Sequence, residues 1–423
     1  MNQETHDIPG PRIEITSRNV MIDQKADIRL RGFKPHARVT ITTELTDDNG
    51  RLWRGVVPYT LNPQGCLEIT STESKGKSFT EIDPWEIFDS MRPVDEPDKP
   101  VPLFAKTTIN PLRIEIQARA ANGDSARGGL KLHVYNETNT IREEVRDGPL
   151  QGTLFCPTGE GPFPVVICLG GLEGGFTEPL PALLASHGIA TFSVAYFGKK
   201  PLTEELSLVP LEFFDHAVAY LEAYPAVDTN PMGIYGSSKG GELALLLASR
   251  NEQVRVVAAY SPSSVVWQSP KAGAPKSSWT VEKNPLPFMP MHYSGMDLLK
   301  LMSGRPIAFR GIHERGLEKN PDKLEKTRIP VEDIHGPVFL VSGTDDAVWP
   351  ASQMADSIEA SLKSAGMPVT HLKYRGAGHL TTLPGLPAPE IAGTHIFGGK
   401  SFKSSLALED AWQKMVAFFT ENL

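Results

Sequence analysis

The distribution of apolar residues changes character near residue 148, and this change limits the folds open to the chain. Beyond it, short and almost continuous apolar segments alternate with segments of helical length. Such alternation is typical of a mostly parallel sheet with helices on both faces. The expected strands are 165–169, 189–195, 232–235, 254–260, 337–342 and 369–374. The expected helices are 180–187, 210–223, 241–250, 351–365 and 406–423.

The chain before residue 140 has a different pattern. Short alternating segments rich in Val, Ile, Thr and Arg, such as 12–15, 26–30 and 38–42, are separated by turn clusters of Asn, Asp and Gly. This pattern predicts an antiparallel, Ig-like β-sandwich. We therefore expect a β-sandwich domain over 8–142 and an α/β domain with a mostly parallel sheet over 143–423.

An insertion is expected at about 261–333, where Pro, Lys, Ser and Gly interrupt the alternation of strands and helices. It follows a predicted strand, so it would lie over the carboxyl edge of the sheet as a substrate cap. The alternative is that its apolar residues only pack the insertion onto the core. These residues are Val265, Val266, Trp267, Phe288, Met289, Met291 and Met296.

Composition excludes several classes of protein. Hydrophobic residues make up 40% of the 423 residues, which is enough for two folded domains. The 42 basic and 50 acidic residues give a net charge of −8, and no basic stretch is present, so a nucleic-acid-binding protein is not expected. No apolar run approaches the roughly 18 to 20 residues needed to span a membrane. The three cysteines are odd in number and form no C-x-x-C pair, which together with a polar N-terminal segment favours a reducing, cytoplasmic location.

A nucleophile motif follows the strand at 232–235. The segment 236–240 reads Gly-Ser-Ser-Lys-Gly and leads directly into an apolar helical run. This is G-x-S-x-G in a strand–turn–helix context, where small residues on either side allow the strand and the helix to approach closely. Ser238 is therefore the candidate nucleophile.

A serine nucleophile needs a base and an acid, which in this fold follow it in the order acid and then histidine. The strand at 337–342 leads to Asp345 and Asp346, and the strand at 369–374 leads to His379 between glycine-rich turns. We assign Asp346 as the acid, with Asp345 as the alternative, and His379 as the base.

The oxyanion requires two backbone N–H donors. Lys239, directly after the nucleophile, supplies the first. The second is expected in the glycine-rich loop 170–175, from Leu172 or alternatively from Gly171. That loop has neither the G-x-G-x-x-G spacing nor the Gly-Lys-Ser ending of nucleotide sites, so no cofactor and no metal is expected.

Four further segments carry a family resemblance. Segments 45–53 and 83–91 in the N-terminal part, with 376–380 and 410–419 in the C-terminal part, resemble acyl-CoA thioester hydrolases and bile acid-CoA:amino acid N-acyltransferases. Members of that family join an N-terminal β-sandwich to an α/β-hydrolase domain. The resemblance implies that Ser238, Asp346 and His379 form a triad that cleaves an acyl thioester through an acyl-enzyme.

Two departures refine this resemblance. Cysteine marks the nucleophile of the amino-acid-conjugating branch, so Ser238 is more similar to the hydrolytic branch. The residues at 419–423 do not form a Ser-Lys-Leu peroxisomal signal, which favours a bacterial-type cytoplasmic enzyme.

The leading hypothesis is therefore an acyl-CoA thioesterase that releases a free acid and CoA from a small-molecule substrate. The alternatives are a carboxylester hydrolase with the same triad and an acyl-CoA:amino acid N-acyltransferase. A catalytically silent binding module would lack a triad member, whereas all three are present in order.

Overall fold

The computed structural model describes residues 10–69, 86–270 and 274–423. The chain forms two compact units, one of residues 1–134 with 384–387 and one of residues 135–383 with 388–423. Residues 8, 9 and 70–85 of the predicted sandwich, which include 83–85 of the family resemblance, and residues 271–273 of the predicted insertion lie outside the described residues. The predicted domain boundary at 142/143 falls inside a strand of the larger unit, Thr140–Asp147, and that unit begins earlier, at residue 135.

The smaller unit is built mainly from strands. They are β1 (Arg12–Ile15), β2 (Asn19–Met21), β3 (Ile28–Arg31), β4 (Arg38–Thr46), β5 (Leu52–Thr60), β6 (Leu67–Ile69), β7 (Arg92–Pro93), β8 (Leu112–Ala120) and β9 (Ser125–His133), with one short helix, α1 (Glu86–Asp89).

These strands form a six-stranded sheet in the order β2-β9-β8-β4-β5-β7 and a three-stranded sheet in the order β1-β3-β6. Alternate residues of β4, including Val39, Ile41 and Leu45, are buried, as the alternating sequence predicts. Every pair is antiparallel except β2 with β9, which is parallel. Side-chain alternation is the same in parallel and antiparallel strands, so the sequence could not indicate that β2 and β9 pair in parallel. The Ig-like arrangement stays a prediction.

The larger unit contains the remaining elements. Its strands are β10 (Thr140–Asp147), β11 (Leu150–Pro157), β12 (Phe163–Leu169), β13 (Ala190–Val194), β14 (Val209–Pro210), β15 (Val227–Ser237), β16 (Val254–Tyr260), β17 (Trp279–Val281), β18 (Asn284–Pro285), β19 (Val338–Gly343), β20 (Val369–Tyr374), β21 (Ile391–Ala392) and β22 (His395–Ile396). Its helices are α2 (Pro179–Ala185), α3 (Phe213–Glu222), α4 (Lys239–Ala248), α5 (Gly295–Met302), α6 (Arg310–Lys319), α7 (Leu324–Thr327), α8 (Ala351–Ser364) and α9 (Ser401–Asn422).

An eight-stranded sheet in the order β10-β11-β13-β12-β15-β16-β19-β20 forms the centre of this unit. From β13 to β20 all neighbours are parallel, whereas β11 is antiparallel to both of its neighbours. All six predicted strands are present, and the α/β-hydrolase prediction is confirmed. The sequence did not predict β10 or β11. Most side chains of β10 are polar and exposed at the edge of the sheet, so this strand lacks an apolar pattern.

The five predicted helices of the larger unit are present as α2, α3, α4, α8 and α9. The last begins at Ser401 rather than at 406, because small residues in its first turns, including Ser404 and Ser405, pack inward as apolar ones would. In the part of the chain that the structure describes, no helix has the length and apolar character needed to cross a membrane.

The described residues of the segment 261–333 contribute no strand to the eight-stranded sheet. It contains β17, β18 and helices α5 to α7, and β17 pairs with β14. Helix α5 buries none of its residues, and Met302 at its end is 87% exposed. In contrast, Trp267 and Met289 are fully buried. The segment is therefore packed in one part and exposed in another.

Candidate active site

Ser238 lies on a strained turn between β15 and α4. Its backbone has φ 55° and ψ −122°, a conformation that is unfavourable for any residue except glycine. A Cβ atom at Gly236 would collide with the carbonyl of Gly240, and one at Gly240 would collide with the carbonyl of Gly170. The two motif glycines are therefore required by close backbone approach, as the sequence predicts.

Asp346, in the loop after β19, contacts His379, in the loop after β20. His379 Nδ1 donates to Asp346 Oδ2 over 2.7 Å, and both side chains are buried. The other carboxylate oxygen, Oδ1, accepts the backbone N–H groups of Val348 at 2.8 Å and Trp349 at 3.2 Å. Asp345 instead accepts a hydrogen bond from its neighbour. Because Nδ1 donates to the carboxylate, Nε2 is the ring nitrogen that can accept a proton.

Backbone hydrogen bonds bring the His379 loop to the same edge of the sheet as Ser238. The N–H of Ser238 donates to the carbonyl of Tyr260 over 2.9 Å. The next residue, Ser261, accepts the N–H of Leu380 on its Oγ over 2.9 Å. Within the described residues, the side chains of Ser238 and His379 share no hydrogen bond, and such bonds often form only when substrate is bound.

The loop after β12 lies against Ser238, the candidate nucleophile. A Cβ atom at Gly171 would lie 3.7 Å from the Cβ of Ser238. The N–H of Gly171 donates to Glu173 Oε1 over 2.9 Å, so a side chain already uses this donor. This favours Leu172 over Gly171 as the second donor. Lys239 is the first residue of α4, so its N–H has no acceptor within the helix.

Tyr196 holds the same loop from the core. Its hydroxyl donates to the carbonyl of Gly170 over 2.7 Å and to that of Gly171 over 3.3 Å. Burial raises the pKa of Tyr196 well above its usual value, so the hydroxyl remains a donor. The loop is thus fixed through its carbonyl groups.

Two family models match the sequence. One, described as the C-terminal part of BAAT / acyl-CoA thioester hydrolase, matches residues 209–423, and another, described as the acyl-CoA thioester hydrolase/BAAT N-terminal region, matches residues 23–150. The first spans just over half of the chain. The chain belongs to the acyl-CoA thioester hydrolase/BAAT family.

Similar members of this family match nearly the whole chain. Mouse acyl-coenzyme A thioesterase 1 is 29% identical over 95% of this chain and 94% of its own length. Mouse peroxisomal succinyl-coenzyme A thioesterase is 28% identical over 97% and 96%. Mouse acyl-coenzyme A amino acid N-acyltransferase 1 is 27% identical over 96% and 97%. The chain is therefore an enzyme of the acyl-CoA thioester hydrolase/BAAT family, and its relatives include both thioesterases and N-acyltransferases.

A buried ion pair that was not predicted from the sequence lies in the first turn of α4, directly after Ser238. Lys239 Nζ donates to Glu242 Oε1 over 2.6 Å, and these side chains are 3% and 0% exposed. Burial lowers the pKa of Lys239 and raises that of Glu242. The sequence contains a signal for this pair, because Glu242 directly precedes a helical segment, 243–248, in which all six residues are apolar.

The residues predicted to form a substrate cap differ in their exposure. Val265, Val266, Trp267 and Met289 are buried, whereas Met296 is 61% exposed. The buried residues therefore pack the segment onto the family's hydrolase core, and a role as substrate cap stays a prediction.

His313 on α6 is a second buried group absent from the sequence analysis. Its ring lies edge-on to those of Trp267 and Trp349, with centroids 4.4 and 5.7 Å apart. Nδ1 bonds to the carbonyl of Phe309 over 3.0 Å. Burial lowers the pKa of His313 to about 4, so the ring is neutral at pH 7.

One cluster in the described residues has the composition of a metal site. Potential ligand atoms of Asp356, Glu359 and His371 lie within 4.8 Å of one another. However, Lys373 contacts Asp356 and Lys363 contacts Glu359, each over 2.6 Å. The carboxylates already face ammonium groups, so the arrangement is that of a surface ion-pair network.

Proposed function

We propose that the chain is a serine-dependent acyl-CoA thioesterase in which Ser238, His379 and Asp346 form the catalytic triad. The observation that carries the proposal is the buried 2.7 Å hydrogen bond from His379 Nδ1 to Asp346 Oδ2. It fixes the ring so that Nε2 can serve as the base. Membership of the family supports an acyl-CoA substrate, and serine at the nucleophile position supports hydrolysis.

In the first half of the reaction, Ser238 Oγ attacks the thioester carbonyl carbon while His379 Nε2 takes the hydroxyl proton. The backbone N–H groups of Lys239 and Leu172 stabilise the resulting oxyanion. The tetrahedral intermediate collapses, the carbon–sulfur bond breaks, and CoA leaves as the thiol with the proton from His379. The acyl group remains on Ser238 as an ester.

In the second half, water attacks the acyl-enzyme. His379 accepts a proton from the water, and the oxyanion forms again at the same two N–H groups. Collapse then breaks the bond to Ser238 Oγ, which recovers its proton from His379. The products are the free acid and the original enzyme.

The test is a panel of acyl-CoA substrates of increasing chain length, assayed by release of free thiol beside simple carboxylesters. We expect thiol release from the wild type and a loss of at least about a thousandfold in kcat for Ser238→Ala, because only binding and oxyanion contributions would remain. The melting temperature of this variant should be unchanged.

The alternatives give different results in the same assay. Turnover of esters without turnover of acyl-CoA would identify a carboxylester hydrolase. Conjugates formed when glycine or taurine is supplied would identify an N-acyltransferase, the activity named for one of the mouse relatives. Full activity in the Ser238→Ala variant would exclude the proposed triad.

A further inference from the structure

The carboxylate of Glu242 joins the nucleophile's helix to the segment 261–333. Besides Lys239, it accepts the indole N–H of Trp279 on Oε1 over 2.7 Å and the backbone N–H of Trp267 on Oε2 over 3.3 Å. Lys239 Nζ in turn donates to the carbonyl of Trp267 over 3.3 Å. Two buried charges thus share a closed network with two tryptophans of the neighbouring segment.

Stability alone does not explain this arrangement. The transfer of an ammonium and a carboxylate out of water is unfavourable, and a buried pair contributes little net stability compared with apolar residues of similar size. The direct effect of the ion pair is to fix the position of a side chain. It fixes the side-chain end of Lys239, whose backbone begins α4 directly after Ser238.

We propose that Glu242 is a positioning residue for catalysis, which holds the Lys239 backbone N–H in the oxyanion site through the Lys239 side chain. This inference rests on the proposed function, in which that N–H stabilises the oxyanion. Glu242 itself does not contact the substrate. Its loss should therefore slow the chemical step and leave substrate binding nearly unchanged.

The experiment compares Glu242→Gln with the double variant Lys239→Met/Glu242→Gln. Glutamine keeps the shape of the side chain but leaves the buried ammonium without a counter-charge, so this variant should lose both stability and rate. The double variant removes both charges and should recover stability. We expect kcat to fall about tenfold or more in both, with KM within about twofold of the wild type, because a misplaced oxyanion donor acts on the transition state.

A second readout does not depend on the thioester. A fluorophosphonate phosphonylates the active serine: a bond forms from Ser238 Oγ to phosphorus, the phosphorus–fluorine bond breaks, fluoride leaves, and His379 takes the hydroxyl proton. The phosphoryl oxygen occupies the oxyanion site, so both variants should label at least about tenfold more slowly than the wild type.

The pair of Lys106 and Asp48 in the smaller unit provides a matched control. Its side chains are 2% and 13% exposed, and Nζ lies 3.2 Å from Oδ2. Asp48→Asn should lower stability, as Glu242→Gln does, but leave kcat and the labelling rate at wild-type values. A similar loss of rate in Asp48→Asn would show that the effect follows stability alone, and the inference would be wrong.

The remaining outcomes are also decisive. A double variant that recovers both stability and labelling rate would overturn the positioning role, as would Glu242→Gln with a wild-type labelling rate. A wild type that neither reacts with the fluorophosphonate nor hydrolyses acyl-CoA would refute the proposed function itself. If Glu242→Gln does not fold, Trp279→Phe removes one donor to Glu242 and should still lower kcat without raising KM.

Discussion

The two oxygens of Asp346 have different partners. Oδ1 accepts two backbone N–H groups of the turn that follows, and Oδ2 accepts the ring of His379. Because the turn holds one oxygen, the direction of the other is fixed. A carboxylate attached in this way orients an imidazole without moving when the ring gains a proton.

This arrangement predicts the effect of Asp346→Asn. The amide oxygen would keep the two backbone donors, so the amide NH2 would face His379 and leave the ring proton on Nε2, where the base must be free. We expect kcat to fall by at least about a thousandfold with little change in melting temperature. Asp345→Asn is the control and should retain kcat within about threefold, whereas the opposite ranking would assign the acid to Asp345.

The sequence predicted the residues of the proposed triad because each follows a strand of an expected sheet. It favoured Asp346 but left Asp345 as an alternative, since both follow the same glycine and only the turn geometry directs one of them at His379. Glu242 was missed because a glutamate in the first turn of a helix ordinarily interacts with the helix dipole at the surface. Its partners Trp267 and Trp279 are distant in sequence.

His313 makes stability depend on pH. Its pKa is lowered from 6.5 to about 4 by burial, so the unfolded chain takes up a proton before the folded one does. Stability is therefore complete above pH 6.5 and decreases as the pH falls toward 4. The loss is about 2 kcal/mol at pH 5.

Substitution of His313 by Phe tests this dependence. The variant keeps a ring between the tryptophans but cannot titrate, so its unfolding free energy should fall less than that of the wild type between pH 7 and pH 5. Urea unfolding at both pH values measures the difference. His216→Gln, at an exposed position of α3, should keep the wild-type pH dependence. An unchanged dependence in His313→Phe would contradict the prediction.

At the scale of elements, α4 and α5 are stabilised in opposite ways. Every residue of α4 is buried, so packing holds it in place. Helix α5 buries none and depends on its N-terminal capping box, in which Ser294 Oγ accepts the N–H of Asp297 and Asp297 Oδ2 accepts the N–H of Ser294. A helix without buried side chains gains little from apolar burial, so the capping box and the ion pair of Asp297 with Arg315 on α6 contribute much of its stability.

Substitution of Ser294 by Ala should therefore destabilise α5 alone. Loss of the cap costs about 1 kcal/mol, which corresponds to roughly fivefold faster hydrogen exchange of the amides at 295–302. The melting temperature of the protein should be unchanged. Ser294→Thr is the control: it retains a capping hydroxyl, so its amides at 295–302 should exchange at the wild-type rate. A wild-type exchange rate in the alanine variant would show that the cap is dispensable.

The sequence did not reveal helix α6, and its glycines explain why. Gly311 and Gly316 interrupt the helical pattern of 310–319. In the structure a Cβ atom at Gly316 would collide with the carbonyl of Pro290. Gly316 weakens the helix locally but is required by the close approach of Pro290. Such tertiary packing cannot be inferred from the local sequence pattern.

At the scale of the whole molecule, the two units are not consecutive in sequence. Residues 384–387 belong to the smaller unit, although they follow β20 of the larger one. Gly385 has φ +71°, and a Cβ atom there would collide with the carbonyl of Ile22. The N–H of Ile22 donates to the carbonyl of His133 over 2.8 Å, so this segment packs beside the strand ends of its own unit.

Gly385→Ala is therefore expected to destabilise the smaller unit. The added methyl group would meet backbone, and the left-handed conformation adds about 1 kcal/mol of strain. Hydrogen exchange at Ile22 should become faster. Gly393→Ala is the matched control, since φ there is +55° and nothing lies within 4 Å of the added atom. Equal exchange at Ile22 in both variants would show that the close approach has no effect.

The position of residues 384–387 also has a consequence for synthesis of the protein. A ribosome emits the chain from the N-terminus, and domains encoded in one stretch begin to fold as soon as they emerge. The smaller unit cannot do so completely, because its last four residues come after more than 380 others. Until almost the whole larger unit has been synthesised, the nascent smaller unit lacks residues 384–387, and the place that they occupy in it stays empty. Folding of the smaller unit can therefore be completed only near the end of synthesis.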